Sequence, residues 1–373
     1  MTVMNARRSS LSRPLRARRI RLVAGTGVLA LAALSLSACG DDGSAAADGK
    51  VNAVASFYPM EFLLKEIGGK HVSVTELTEP GVEPHDLELS PKQVGQLGEA
   101  ELVVYLKGLQ PAVDKAVEQS DVKHVAEATS YTSLEKHGTS EHGEEGHKEE
   151  GHGGHEEEGH GEEGHGEEGH EGEGHGGHEE EGHKEEEAGG HEGHDHSTEG
   201  GEDPHIWLDP SRYAKVAEGV GKQLAKADPD HKAAYEKNTA ALVKRLTALD
   251  TEFKDGLRSR TSDTFITTHS AFGYLADRYG LHEEGISGVD PESGSVSGAH
   301  MKELHKIAEE DDVSTVFFES NASDKTAQTL ARDLKLKTGV LSPLESVKDP
   351  AKDDYFSVMK QNLQALRTAL GAK

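Results

Sequence analysis

The sequence predicts an α/β protein of two lobes, each a parallel-type sheet flanked by helices, joined by a single long rigid helix. Three observations carry this. Short apolar runs alternate with helical segments, which is the order of a parallel sheet covered on both faces. The same alternation starts again after Thr264. Between the two, residues 229–257 keep one helical stripe through Tyr235, Leu242, Leu246, Leu249 and Phe253, over a length comparable to the width of a domain.

Taken in order, residues 51–57 (VNAVASF) read as a buried strand and 59–67 as a short helix with Pro59 in its first turn. Residues 72–77 give a second strand, 91–100 a helix, 102–106 (LVVYL) a third strand and 110–118 a helix. After residues 122–125 the chain enters an insertion at 137–203. Regular patterning returns at Pro204, with a helix over 211–226 that Asp228-Pro229 breaks. In the second half, strands fall at 264–268, 282–286, 316–318 and 339–341, and helices at 271–279, 297–310, 323–334 and 353–370. The expected organisation is a first lobe over 51–228, a linking helix over 229–258 and a second lobe over 259–373. In sheets of this kind, ligands sit outside the carboxyl ends of the strands.

The insertion is built almost wholly of Gly, Glu and His. It holds 14 of the chain's 23 histidines, and its 25 acidic residues against two lysines account for most of the formal charge of −28. This balance argues against nucleic acid, whose phosphates need clustered Lys and Arg, and points to cations as partners. The histidines often recur every fifth residue: His142, His147 and His152, then His160, His165, His170 and His175. Five residues advance a helix by about 500°, so these side chains would share no face. With dense Gly, mutually repelling Glu and no aliphatic residues, the segment is expected to be disordered. Together with His155, His178, His183, His191, His194 and His196 it would collect metal weakly, with capture falling as pH drops through about 6.5.

The N-terminus reads as a secretory leader. Residues 1–21 carry seven arginines and no acid, an apolar stretch over 22–36 follows, and small residues precede Cys39. About 15 apolar residues are too few to span a bilayer comfortably. Cys39, the chain's one cysteine, excludes an internal disulfide and a Cys-type zinc site. Its setting resembles the lipobox of bacterial lipoproteins, which implies a leader over 1–38, a lipidated Cys39 and a polar tether over 39–50.

Three histidines outside the insertion occupy related contexts: His85 in Glu83-Pro84-His85-Asp86, His205 in Pro204-His205-Ile206-Trp207, and His269 at the junction of a strand and a helix. Each lies at a strand's carboxyl edge or in a tight loop. Zinc coordination needs neutral imidazole or carboxylate donors converging tetrahedrally, so a fourth donor is required. Glu319 and Glu345 both follow strands of the second half, and the pattern alone does not choose between them.

These residues sit in segments with a specific resemblance. The lipobox, EPHDLELSP, HIWLDP, TTHSAFGYLA, GVDPESGSVSG, VFFESNAS and LSPLESV, in this order around a His-rich insertion, are similar to the zinc-type metal-binding lipoproteins, the solute-binding proteins of bacterial ABC importers. The resemblance implies the metal-type periplasmic binding protein fold, with zinc as the transported ligand and no enzymatic activity. The metal ligands would be His85, His205, His269 and Glu345, with Glu319 supporting or alternative. It further implies a monomer, lipid-anchored on the outer face of the cell membrane, delivering zinc to a membrane permease. Many zinc relatives carry a disulfide in the second lobe, for which this chain has no cysteines. Three imidazoles and one carboxylate suit zinc, whereas the manganese-type relatives use a harder set of two His and two carboxylates. The alternatives are a protein for manganese or another divalent metal, a metal-buffering surface adhesin and, with no HExxH, GxSxG or Walker A pattern in place, a zinc hydrolase.

Overall fold

A computed structural model describes residues 49–137, 202–291, 296–319 and 325–373. The leader over 1–38, Cys39 and the insertion's histidines from His142 to His196 lie outside the described residues. Both lobes belong to one compact unit, residues 44–373.

The first sheet holds β1 (Val51–Ala55), β2 (Val72–Glu76), β3 (Leu102–Tyr105) and β4 (His124–Glu127), all parallel in the order β2-β1-β3-β4. β4 is absent from the sequence reading. It is four residues at the edge of the sheet with one fully buried side chain, Ala126, too short and too mixed to show a period. The helices α1 (Tyr58–Gly68), α2 (Pro91–Gly98) and α3 (Pro111–Glu118) each begin with proline in the first turn, where its missing N–H costs nothing. Ser90 and Gln93 close a capping box on α2.

Two long helices follow. Asp209 caps α4 (Pro210–Ala227), and α5 (Lys232–Leu257) runs 26 residues, about 39 Å at 1.5 Å per residue. The expected start of α5 at Pro229 shifts: Pro229–His231 form a separate 3-10 turn, held by Asp228, whose carboxylate accepts from Tyr235 at 2.6 Å and lies 2.7 Å from His231 Nδ1. The second sheet repeats the plan of the first. It contains β5 (Thr264–His269), β6 (His282–Ser287), β7 (Thr315–Phe318) and β8 (Lys337–Val340), parallel in the order β6-β5-β7-β8, with α6 (Gly273–Tyr279), α7 (Gly298–Glu310), α8 (Lys325–Leu334) and α9 (Tyr355–Ala369) around it.

The apolar core explains how two lobes hold one cleft. One buried cluster runs through α1, α4, α5, α6 and α9 and includes Phe57 and Trp207 from the first half with Phe265 and Phe317 from the second. Two satellite clusters line the outer faces, around Val54, Val103 and Val113 and around Ile266, Val316 and Leu330. The closing helix α9 reaches back to the first lobe: Tyr355 packs on Phe62 and Tyr213 at ring distances of 5.4 and 4.8 Å, and its hydroxyl donates to the Trp207 carbonyl at 2.7 Å. Aromatic burial of this kind dominates core energetics, so the lobes are packed together at their junction. No helix among the described residues is long and apolar enough to cross a membrane.

Glu76, at the end of β2, has one carboxylate oxygen buried without a hydrogen-bond partner. Burial, and then the nearby Glu61 carboxylate, push its carboxyl up to about 8, with Lys65 opposing. A folded-state acid raised above its unfolded value costs stability as pH rises from the unfolded pKa through the folded one. Glu76→Gln should therefore raise Tm at pH 8 to 9, by an amount equivalent to about 1 kcal/mol, and change it little at pH 4. Thermal melts across this range check the sign. Equal shifts at both ends would show that charge is not the cause.

Candidate metal centre

Four side chains reach the cleft at the carboxyl ends of the two sheets, three from loops and one from the end of a strand. His85 lies in the loop after β2 and is 9% exposed; His205 precedes the 3-10 turn Ile206–Leu208 and is fully buried. His269 is the last residue of β5 and Glu345 lies beyond β8; they are 1% and 3% exposed. The Glu345 loop turns sharply because Leu344 adopts φ 59°, a left-handed conformation costly for a branched side chain. Its surroundings hold it there. Asn362 of α9 clamps Ser342 through two bonds of 2.9 and 2.7 Å, and the Trp207 indole donates to the Pro343 carbonyl at 2.6 Å.

The three imidazoles converge on a single oxygen. Glu345 Oε1 lies 2.9 Å from His205 Nε2, 3.3 Å from His85 Nε2 and 3.5 Å from His269 Nε2. The last distance is too long for a good hydrogen bond, and His269 Nε2 is buried without another partner. The opposite ring nitrogens are anchored: His205 Nδ1 donates to Asp203 Oδ1 at 2.7 Å and His269 Nδ1 to Glu319 Oε1 at 2.5 Å. A carboxylate on Nδ1 orients each ring so that Nε2 points toward the shared Glu345 oxygen, the arrangement usual for metal-bound histidine. Glu319 thus stands behind His269, while Glu345 faces all three Nε2 atoms. The sequence pattern alone does not choose between these two glutamates.

The electrostatics follow from crowding acids and imidazoles in one buried space. Burial works against a charged His205, but Asp203 and then Glu345 outweigh it and raise its pKa to about 9. For His269, Glu319 and then Glu345 overcome burial and hold it well above the usual imidazole range. Burial would raise Glu345, yet its bonds to His205, His269 and His85 keep it well below the usual carboxylate range. Glu83, whose oxygen is 3.9 Å from His85 Nε2, is pushed up to about 8 by burial and by Glu345. Such opposed shifts cluster at functional sites.

Two further acids of this cluster escaped the sequence reading. Asp203 sits at the end of the expected insertion but is fully buried, and it accepts from both the backbone N–H and the ring of His205. Glu83 accepts from the His85 backbone N–H at 3.2 Å. The available signal was the repeated order acid-Pro-His, in Glu83-Pro84-His85 and Asp203-Pro204-His205, which lets the acid fold over the histidine two residues on. His137, the first residue of the insertion, is likewise placed: its Nδ1 is 2.7 Å from Asp203 Oδ2 and its Nε2 3.0 Å from Asp277 Oδ2. Burial opposes its charge, but Asp203 and Asp277 raise it to about 9. The insertion's two ends are joined where Asp203 N–H donates to the Glu135 carbonyl at 2.7 Å in an antiparallel bridge.

Comparison with known proteins agrees with this architecture. A family model described as "Zinc-uptake complex component A periplasmic" matches residues 53–369. The chain is 35% identical over 343 residues to the zinc-binding lipoprotein AdcA of Streptococcus pneumoniae serotype 4, a match covering 90% of this chain but only 59% of that protein's length. It is 33% identical over 360 residues to the high-affinity zinc uptake system protein ZnuA of Bacillus subtilis, covering 94% of this chain and 98% of that one. The crystal structure of the Zn(II)-bound ZnuA-like domain of Streptococcus pneumoniae AdcA is similar with a TM-score of 0.62 and 30% identity, over 86% of this chain and 99% of the domain. On the match over residues 53–369, with two parallel sheets of one plan around a shared core, the chain belongs to the family of periplasmic zinc-uptake component A.

Proposed function

We propose that this protein captures Zn²⁺ outside the membrane and delivers it to the permease of an ABC importer. The carrying observation is the convergence of His85, His205 and His269 Nε2 on Glu345 Oε1 from both lobes. Three borderline nitrogen donors and one carboxylate are the donor set of a closed tetrahedral zinc site. Four protein donors leave no position for a reactive water, so the site is built to hold an ion rather than to hydrolyse a substrate. The set is poorer in oxygen than the two-His, two-carboxylate arrangement that suits manganese. Named relatives are zinc-binding or zinc-uptake proteins, which supports zinc as cargo.

In this reading the protein works as a monomer, held at the outer face of the membrane by a lipid on Cys39. The insertion's histidines serve as a weak collector, and the surrounding glutamates concentrate cations near it. The cleft alone should bind one tight zinc. Deleting residues 138–201 retains Glu135 and Asp203, whose bridge joins the ends of the insertion. Native mass spectrometry of this variant with one equivalent each of zinc and manganese should show one zinc per chain. A chain that stays empty, or takes manganese first, would refute the assignment.

A further inference from the structure

A second group of donors lies outside the cleft, at the root of the insertion. Glu135, His137 and Asp277 each offer a ligand atom, all within 4.8 Å of one another. We propose that these three residues form a second, weaker site for a divalent cation of the zinc class. The proposal goes beyond the cleft reading and does not depend on which ion the cleft carries.

The wiring of His137 repeats that of His205. One carboxylate, Asp203, serves both rings, through Oδ1 to His205 Nδ1 and Oδ2 to His137 Nδ1, each at 2.7 Å. With Nδ1 engaged as donor, His137 Nε2 faces Asp277 Oδ2 at 3.0 Å. Two electron-rich atoms at this distance require a proton or a cation between them. The ring is also seated. A Cβ on Gly273 would lie 2.3 Å from His137 Cγ, so glycine there is what admits the imidazole, and the ring stands edge-on to Tyr274 at 4.5 Å. Tyr274 fixes the neighbouring backbone as well, donating to the Asp203 carbonyl at 2.8 Å and accepting from the Glu135 N–H at 2.7 Å. The imidazole is therefore held in place before any ion arrives.

The remaining donors are open to water. Side chains of Glu135 and Asp277 are 44% and 65% exposed, so a hydrated ion can approach and keep water as a further ligand. Arg212 competes by bonding Glu135 Oε1, and a proton on Nε2 competes at His137. One imidazole with two carboxylates makes a harder and less selective set than that of the cleft. Together these features give a site that loads at higher metal concentration and releases readily. Its place in the chain gives it a use: His137 opens the insertion, and a single carboxylate separates it from a cleft histidine. An ion leaving the collector would pause here, next to its destination.

Crystals of the full chain grown with excess zinc, measured on both sides of the zinc absorption edge, read the two sites separately. The expected anomalous map has one peak in the cleft and a second bonded to His137 Nε2 and Asp277. Asp277→Asn, a change on an exposed face of α6, should remove the second peak and keep the first. A zinc-grown map in which His137 still bonds Asp277 directly, with no peak between, overturns the second site. So does a second peak that survives Asp277→Asn. Absence of the cleft peak alone would count against the proposed function and leave the second site standing.

Discussion

Zinc held by His269→Ala is expected to be roughly a hundredfold weaker than zinc held by the unchanged cleft. The binding energy of a four-ligand protein zinc site is about 12 kcal/mol, so each donor contributes about 3 kcal/mol, near two decades in Kd. His269 makes the sharpest test of the four because its Nε2 has no satisfactory partner without an ion. Removing it takes away a donor and disrupts no good bond at that atom. The alanine also leaves Glu319 buried without its 2.5 Å partner, which lowers fold stability. His269→Gln retains an amide donor toward Glu319 and separates the effects: it should regain thermal stability but not affinity. Competition with a chelator of known strength measures both variants, with the Trp207 ring 5.2 Å from the His205 ring as the optical probe. Unchanged affinity in both would remove His269 from the ligand set.

Loading of the cleft is also expected to be steeply pH-dependent. His205, at about 9, and His269, held well above the usual imidazole range by Glu319 and Glu345, hold protons at neutral pH when no ion is bound. Zinc takes only the neutral rings, so it must displace both protons, and log K should rise by about two per pH unit as pH climbs toward neutral. The empty protein runs the opposite way. A histidine raised in the folded state contributes stability that is full below its unfolded value near 6.5 and is lost as pH climbs through its folded value. The increase in Tm on adding zinc should thus widen from pH 6.5 to pH 9. Calorimetry in buffers of different ionisation enthalpy counts the protons directly, and a count near zero would mean the rings are neutral before zinc arrives. The histidines of the insertion are expected to lose metal near pH 6.5; the cleft should begin to weaken at higher pH because its carboxylates favour the protonated rings.

How much of this could be read from sequence depends on distance along the chain. The strands β1 and β3 were legible as short continuous apolar runs, buried on both faces of their sheet, and α5 by its helical stripe. β4 was not, because a short edge strand buries too little to leave one. His85, His205 and His269 stood out through their loop contexts, yet choosing Glu345 over Glu319 needed resemblance. Which of two acids faces the three Nε2 atoms depends on the turn at Leu344 and the clamp from Asn362, and neither follows from the residues next to the acid. The composition of the insertion hid its own ends. His137 and Asp203 look like the residues between them and are distinguished only by what they touch: Tyr274, Asp277 and His205.

The Glu135–Asp203 bridge has a consequence for how such a protein can vary over generations. Among the described residues the ends of the insertion are pinned together at this bridge, and for a chain segment between two pinned ends each doubling of length costs only about 0.6 kcal/mol in closure entropy. Histidine-bearing repeats can be gained or lost there by slippage in the coding sequence with little penalty to the lobes. Under the proposed collector role, the length of that chain can change while the four proposed cleft donors keep their positions.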